Sequence, residues 1–207
     1  MKKFILCFCV FFYFFNLNLV AQNKANRFTA GKVGIYSSIG INDVFTLQSL
    51  DGAVGYRNDG FFALGINYIQ NLNRLFDLEI AIEYSKHNVI YSPSYSGDPF
   101  QDMTGKNEMF NILSVPIMTR INVWKYFYFN GGVLFSFDTS KEKNIDTQTG
   151  FGGILGLGMK YDFNCGISIY VNPYSKIHTL IPFSPEKYHQ RVWENGIRIG
   201  LIYDLGK

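Results

Sequence analysis

The sequence is poor in cysteine and in charge, and its one long apolar run lies at the start. Two of its three cysteines, Cys7 and Cys9, fall in that run. If the run is removed, Cys165 is the remaining thiol, which excludes an intramolecular disulfide and a metal or redox site built on cysteine. Only 17% of residues are charged and the net charge is +3, so no basic excess favours nucleic acid as a partner.

The first residues have the layout of a secretory signal peptide. Two lysines precede an apolar run over residues 4–15, and Ala21 supplies a small residue before the predicted cut. A membrane anchor helix would need roughly 20 apolar residues, and two asparagines interrupt the run before that length is reached. We therefore predict a signal peptide at 1–21 and one mature domain at 22–207.

Helical periodicity is missing from the mature chain, which instead alternates apolar with small or polar residues. This is the pattern of β-strands with two different faces. The stretch FDLEIAIEY shows it without a break, with an apolar parity running from Phe76 to Tyr84 and carboxylates between. Eight segments alternate in this way, at about 33–41, 60–70, 76–84, 109–122, 127–137, 151–163, 167–171 and 193–205.

The connections between these segments are alternately long and short. The short ones lie near 71–73, 124–125 and 164–166, and the long polar ones span about 42–59, 87–108, 138–149 and 174–192. Antiparallel strands with short turns at one end and long loops at the other are typical of outer-membrane barrels. We predict an all-β fold, an eight-stranded antiparallel up-and-down transmembrane β-barrel. Its predicted location is the outer membrane of a Gram-negative bacterium, with both termini periplasmic.

The two parities differ in a way that predicts which one faces lipid. A soluble lipocalin-like barrel would carry large polar residues outside, but the polar parity is filled with glycine, serine and alanine, which suit a narrow lumen. The other parity is almost entirely valine, isoleucine, leucine and phenylalanine, so membrane lipid is its predicted partner. Aromatic side chains at the strand ends predict two belts at the lipid–water boundaries. The predicted belt residues are Phe76, Tyr84, Trp124, Tyr126, Phe127, Phe135, Phe137, Tyr161, Phe163, Trp193 and Tyr203.

Two prolines are expected to interrupt the strands. Pro116 has no N–H to donate to a neighbouring strand, so a bulge is expected in the fourth strand. Pro173 is expected to mark the point where the seventh strand leaves the membrane.

Four stretches carry a resemblance to a known group: LVAQN at the signal end, ILSVPIMTRI at 112–121, GFGGILGLGMKYDF at 150–163 and NGIRIGLIYDLGK at 195–207. The chain resembles the small outer-membrane β-barrel proteins known as PorT-like, with architecture similar to OmpA- and OmpX-type barrels. The resemblance implies an eight-stranded barrel without defined chemistry, and one member is tied to protein secretion. Such barrels often end on an aromatic residue used in assembly, so Tyr203 and Leu205 are the expected signal for the outer-membrane assembly machinery.

The acidic parity of the third strand supplies the most specific polar chemistry. Carboxylates in a narrow lumen are costly to leave ionised and unpaired. The hairpin of the third and fourth strands is expected to place Arg120 near Asp77 and Glu79. Arg198 is expected to reach Glu83 across the lumen. The predicted structural charge network consists of Asp77, Glu79, Glu83, Arg120, Lys160 and Arg198.

Catalytic, cofactor and metal sites are not predicted. The three histidines, His87, His178 and His189, fall in or beside long loops, and no two have metal-ligand spacing on one element. His87 with Ser85 and Glu83 is the nearest catalytic candidate. A solvated histidine at the barrel rim is the favoured interpretation of His87.

The predicted function is that of a non-enzymatic structural or binding component of the envelope, with a side-chain-filled polar lumen and no wide pore. Two long loops, 87–108 and 174–192, are rich in tyrosine, serine and proline. They are the expected binding surface for a protein or surface partner. Two alternatives stay open: an outer-membrane lipid-modifying enzyme, and a soluble secreted lipocalin-like binder of small molecules.

Overall fold

The computed structural model describes residues 31–46, 55–92, 106–140, 145–184 and 189–206. The predicted signal peptide and the tips of the long loops lie outside these residues. Among the residues described, no helix is long and apolar enough to cross a membrane.

Eight antiparallel strands form one closed barrel, in which each strand pairs with its neighbours in the sequence and β8 pairs with β1. The strands are β1 (Lys32–Thr46), β2 (Gly55–Asn71), β3 (Phe76–Ser92), β4 (Lys106–Asn122), β5 (Phe127–Asp138), β6 (Gly150–Asp162), β7 (Ile167–Pro182) and β8 (Gln190–Asp204). The predicted eight-stranded antiparallel up-and-down barrel is confirmed. Closure gives every strand a hydrogen-bonding neighbour on both sides, so no sheet edge is left free.

The two ends of the barrel differ in the length of their connections. Residues 72–75, 123–126 and 163–166 form short turns at one end. At the same end, Lys32 at the start of β1 lies with its Nζ 3.4 Å from Asp204 Oδ2 at the end of β8. The first strand therefore begins, and the last strand ends, on the short-turn side, as an even number of strands requires.

The strands extend further toward the long-loop end than the sequence pattern predicts. β3 continues to Ser92 and β4 begins at Lys106, so strand replaces part of the loop predicted at 87–108. β7 continues to Pro182, which replaces about half of the loop predicted at 174–192. The added part of β3 pairs with both neighbours, whereas the ends of β4 and β7 pair with one neighbour each. The alternation that marks a lipid-facing strand fades before these strands end.

Neither proline interrupts its strand, so the bulge predicted at Pro116 is wrong, while the point at which β7 leaves the membrane stays a prediction. The β3–β4 register is the same on either side of Pro116, so no bulge forms there. β7 does not end at Pro173, because β8 continues to pair along it. At each proline, pairing with one neighbouring strand is interrupted, while pairing with the other neighbour is continuous. The missing N–H is therefore accommodated without an extra residue. The register shifts lie elsewhere, at 58–61 of β2 and 151–153 of β6.

The outward parity of the strands forms an apolar surface. On β3 the apolar outward residues run from Phe76 to Tyr84, and the next outward residue is Lys86. This length is close to the roughly 9–11 residues with which a tilted strand crosses a bilayer. Side chains such as Ile35 and Leu155 are 61% and 71% exposed. Exposed apolar surface of this extent marks a contact with membrane or with another protein.

The predicted belt residues lie on this outer surface. The exposed ones are Phe76, Tyr84, Trp124, Tyr126, Phe137, Tyr161, Phe163, Trp193 and Tyr203, and the half-buried ones are Phe127 and Phe135. Tyr161 packs edge-on against Phe163 with ring centroids 4.9 Å apart, near the short turns. Their role at the lipid–water boundary stays a prediction.

The inward parity packs into three apolar layers along the barrel axis. The layer nearest the short turns contains Tyr36, Ile69, Ala81, Tyr128, Tyr170 and Ile202. The middle layer contains Phe61, Ala63, Met118, Leu134, Ile154 and Tyr174. The layer nearest the long loops contains Val89, Phe110, Ile112, Ile145 and Val192. The lumen is therefore filled by side chains, and it is more apolar and aromatic than the sequence predicts.

Three tyrosines of the lumen lie over glycines of a neighbouring strand. The pairs are Tyr36 with Gly65, Tyr128 with Gly158, and Tyr170 with Gly200. A Cβ atom added to these glycines would lie 2.3, 2.0 and 2.5 Å from the nearest atom of the tyrosine ring. The inward glycines therefore provide the space that large rings need inside an eight-stranded barrel.

Candidate functional site

A column of buried charged side chains runs through the lumen between the apolar layers. The column contains Glu79, Glu83, Glu194, Arg120, Lys176 and Arg198, each at most 3% exposed. Three carboxylates are thus matched by three cations. Such pairing is the condition under which charges are tolerated away from water.

The pair nearest the short turns joins β3 to β4. Arg120 Nε lies 2.5 Å from Glu79 Oε2, and Asn67 Nδ2 donates to the other carboxylate oxygen at 2.6 Å. The Arg120 guanidinium carbon lies 4.6 and 5.1 Å from the ring centroids of Tyr128 and Tyr170. The cation therefore has a carboxylate in its plane and aromatic rings nearby, an arrangement that favours arginine over lysine.

The middle of the column connects opposite walls of the barrel. Glu83 on β3 accepts hydrogen bonds from Arg198 Nη2 on β8 at 3.0 Å and from Lys176 Nζ on β7 at 2.5 Å. The Arg198 guanidinium carbon also lies 4.3 Å from the ring centroid of Tyr36 and 5.0 Å from that of Tyr174. Because β3 does not pair with β7 or β8, these contacts cross the lumen and close it.

The outer end of the column centres on Glu194. Lys176 Nζ lies 2.7 Å from Glu194 Oε2, while His178 Nε2 and His87 Nε2 lie 2.5 and 3.2 Å from Oε1. The other ring nitrogen of His178, Nδ1, is hydrogen-bonded to Ser136 Oγ at 2.7 Å. The prediction of a solvated His87 is wrong, because the side chain is fully buried. Since β3 continues past the apolar band, its alternation turns residue 87 into the lumen.

Two members of the predicted network meet through an asparagine at the short-turn mouth. Asn122 Nδ2 donates to Asp77 Oδ2 at 2.8 Å, and Lys160 Nζ donates to Asn122 Oδ1 at 3.0 Å. Asp77 is also the cross-strand Cα partner of Arg120. These residues line a polar cavity of about 420 Å³ that opens among the short turns. Asp77 and Lys160 therefore lie at an open mouth, apart from the closed column.

Lys176 and Glu194 of the column, and His178 beside it, are absent from the network that the sequence predicts. Glu194 had a detectable signal, because it lies four residues before Arg198 on the same parity of β8. Lys176 and His178 were hidden by the expectation that β7 ends at Pro173. If the alternation is continued through that proline, both side chains fall on the inward parity.

The catalytic candidate predicted around His87 does not form as expected. Ser85 Oγ lies 2.9 Å from His87 Nε2, but the carboxylate beside that nitrogen is Glu194, at 3.2 Å. Glu83 binds the cations Lys176 and Arg198 instead. Ser85 and His87 are both fully buried among side chains of the lumen. They are therefore packed against other residues and not exposed to a substrate.

The barrel is similar in fold to solved outer-membrane proteins, although the sequence identities are low. OprG from Pseudomonas aeruginosa superposes with a TM-score of 0.50 at 12% identity, covering 84% of this chain and 96% of OprG. The outer membrane protein AlkL, solved in DMPC lipid bilayers, gives a TM-score of 0.53 at 11% identity, covering 87% and 92%. No family model matches the chain, and no curated protein matches its sequence significantly. The chain therefore has the fold of a small outer-membrane β-barrel.

Proposed function

We propose that the protein is a non-enzymatic integral component of a Gram-negative outer membrane, with both termini in the periplasm. The apolar outer surface supports this proposal, because it extends over about the thickness of a bilayer on β3 and turns polar at Lys86. The fold shared with OprG and AlkL supports it as well. The proposed contact for the outer-membrane assembly machinery lies at the end of β8. It consists of Tyr203 and Leu205, which are 47% and 50% exposed.

The observation that carries the function is the filled lumen. Glu83, held from the opposite wall by Arg198 and Lys176, crosses the barrel at mid-height, and apolar layers lie on either side of it. A pore would need a continuous water-filled path. The protein therefore acts through its surface and its loops, as a structural or binding element of the envelope.

Planar-bilayer recording tests the filled lumen. Purified, refolded protein is expected to insert without stable, large conductance steps, whereas a known porin in the same bilayer gives them. A reproducible large channel from the wild-type barrel would contradict the proposal, because such a channel cannot coexist with the packed column.

Binding through the long-loop end is the second part of the proposal. The tips of these loops lie outside the described residues, and the support is the sequence from Tyr91 to Gly105, which contains two tyrosines, three serines and two prolines. Replacing residues 94–104 by a short glycine–serine linker is expected to abolish attachment of cells to a protein-coated surface while the barrel still folds. Unchanged attachment would place the binding function elsewhere.

The two alternatives from the sequence, a lipid-modifying enzyme and a soluble lipocalin-like binder of small molecules, have no further support. A lipid-modifying role predicts altered lipid A in a deletion strain, and we expect its lipid A to be unchanged because Ser85 and His87 are enclosed. The link to protein secretion that a PorT-like resemblance implies stays a prediction.

A further inference from the structure

Three metal-ligating side chains from three strands converge at the outer end of the charge column. One ligand atom each from His87 on β3, His178 on β7 and Glu194 on β8 lie within 4.8 Å of one another, and all three side chains are buried. The histidines are far apart in the sequence, so spacing within one element gives no sign of them. Imidazole nitrogens with one carboxylate are a donor set that suits zinc and neighbouring divalent transition ions.

The two imidazole rings are held in place by their surroundings. His87 stacks between Phe61 and Phe110, with ring centroids 5.5 and 4.8 Å away and interplanar angles of 23° and 9°. This packing confines the ring to one plane, with its Nε2 toward Glu194. His178 is held through Nδ1 by Ser136 Oγ at 2.7 Å, which leaves its Nε2 for Glu194. A hydrogen bond to the second ring nitrogen is how proteins orient histidine ligands.

Regular alternation along β7 places His178 in the lumen, and the backbone directly after it is irregular. Thr179 has a φ of 53°, in the left-handed region that β-branched residues rarely occupy. The β6–β7 register shifts at this point, opposite 151–153 of β6. As a result, His178 and Thr179 are both buried, although they are consecutive on the strand. Bulges that re-aim a side chain are frequent next to functional sites.

The geometry of the three ligand atoms is compatible with a tetrahedral ion. Metal–ligand bonds of roughly 2.0–2.1 Å place tetrahedral ligands about 3.3 Å apart. His87 Nε2 lies 3.2 Å from Glu194 Oε1 and His178 Nε2 lies 2.5 Å from it, so the second separation would have to increase. The ligand atoms of the two histidines lie within 4.8 Å of each other, and an ion would hold them about 3.3 Å apart. Lys176 holds the other oxygen, Oε2, and shares its charge with Glu83. Oε1 is therefore the oxygen that faces both histidines.

We propose that His87, His178 and Glu194 form a structural site for a zinc-class divalent ion that ties β3 to β7 and β8 across the lumen. The ion takes the place of the contacts between the imidazole Nε2 atoms and Glu194 Oε1, and each histidine binds it through an Nε2 that carries no proton. The fourth coordination position is taken by water or by a neighbouring oxygen. The site adds a cross-lumen link next to the one that Glu83 already makes.

Metal titration of the untagged, refolded mature barrel in detergent tests this site. We expect one Co²⁺ per folded chain, with the visible absorption of a four-coordinate ion, and displacement by Zn²⁺. Glu194→Gln and His178→Ala are each expected to weaken Zn²⁺ binding by at least about tenfold. Ser136→Ala, which removes the group that orients His178, is expected to weaken it by about 10–100-fold.

The control is His189→Asn, because this third histidine lies outside the cluster and asparagine tolerates its φ of 53°. It is expected to bind Zn²⁺ as the wild type does. Zinc is also expected to raise the temperature at which the folded band is lost on a gel, and chelator to reverse the change. If folded wild type binds no Co²⁺ or Zn²⁺, or binds equally well with Glu194→Gln and Ser136→Ala, the proposal is wrong. The near-isosteric shapes of these two variants keep the test valid if His178→Ala fails to fold.

Discussion

At the scale of single residues, Arg120 shows why the buried charges come in pairs. Its guanidinium binds Glu79, which is 0% exposed, and lies near the rings of Tyr128 and Tyr170. Removing one partner of a buried pair leaves the other charge without compensation, which costs more than the pair itself contributes. The arginine is therefore needed because the carboxylate is there.

Arg120→Met is expected to lower the free energy of unfolding by about 3–5 kcal/mol, because Glu79 is left ionised and buried. The double variant Glu79→Gln with Arg120→Met is expected to recover most of that loss, since neither charge remains. Urea unfolding in lipid vesicles, followed by tryptophan fluorescence, measures both. Lys125→Met, on an exposed turn, is the control and should change little. An Arg120→Met barrel as stable as the wild type would contradict this account of the column.

Part of the site was predictable at this scale. The hairpin of β3 and β4 sets the distance between Arg120 and Glu79, because antiparallel register follows from a short segment of sequence. Charge balance indicated that Arg198 and Glu83 would meet across the lumen, and the structure brings them together. Lys176 and His178 were not predictable in the same way, since their places depend on how far β7 runs and how opposite walls are staggered.

At the scale of elements, the recurring unit is a tyrosine on one strand that covers a glycine on the next. The unit occurs on three pairs of strands, β1–β2, β5–β6 and β7–β8. It explains the small residues of the inward parity better than lack of room does. Other inward glycines, such as Gly132 and Gly152, instead lie where an added Cβ would meet a backbone carbonyl of the neighbouring strand.

Gly158→Ala is expected to destabilise the barrel by about 1–3 kcal/mol through overpacking, because the added Cβ meets a fully buried ring. The new atom would lie 2.0 Å from Tyr128 Cζ. Gly153→Ala on the same strand is the matched control, since the closest contact of its Cβ is 3.8 Å, to Leu180 Cδ1. The loss of the folded band on heating measures both. Equal stability of the two variants would contradict the claim that Gly158 leaves the space that the Tyr128 ring occupies.

The extent of the elements was less predictable than their number. Alternation located all eight strands because lipid on one side and a lumen on the other impose a period of two. Beyond the apolar band, the outward face is no longer apolar, while the lumen contains an apolar layer with Val89 and Phe110, so the contrast that marks a lipid-facing strand disappears. Prolines mislead for a related reason: Pro116 and Pro173 are tolerated because each strand has a second neighbour to hold it.

At the scale of the whole molecule, pairing between β1 and β8 closes the barrel. Neither strand therefore needs the edge of another sheet to pair its backbone groups. Their register places Ile35 beside Leu201, with both side chains outward. Directly opposed residues have Cβ atoms about 4.5–5.5 Å apart. A disulfide between such positions is sterically allowed.

Cysteines at positions 35 and 201, in a Cys165→Ser background, are expected to form a disulfide that joins the first and last strands. The control places cysteines at Ile35 and Tyr203, two residues out of register, where the separation is roughly 7–8 Å. Gel mobility with and without reductant reports the cross-link. Equal cross-linking of the two variants, or none in the first, would contradict the closure and its register.

The central claim is that the apolar parity of these strands faces the lipid of an outer membrane. Density-gradient fractionation of envelopes from cells that express the untagged chain tests it most directly. The account predicts that the mature protein sediments with the outer membrane and migrates faster on a gel before boiling than after it. Recovery of folded protein in the soluble periplasmic fraction would contradict the claim.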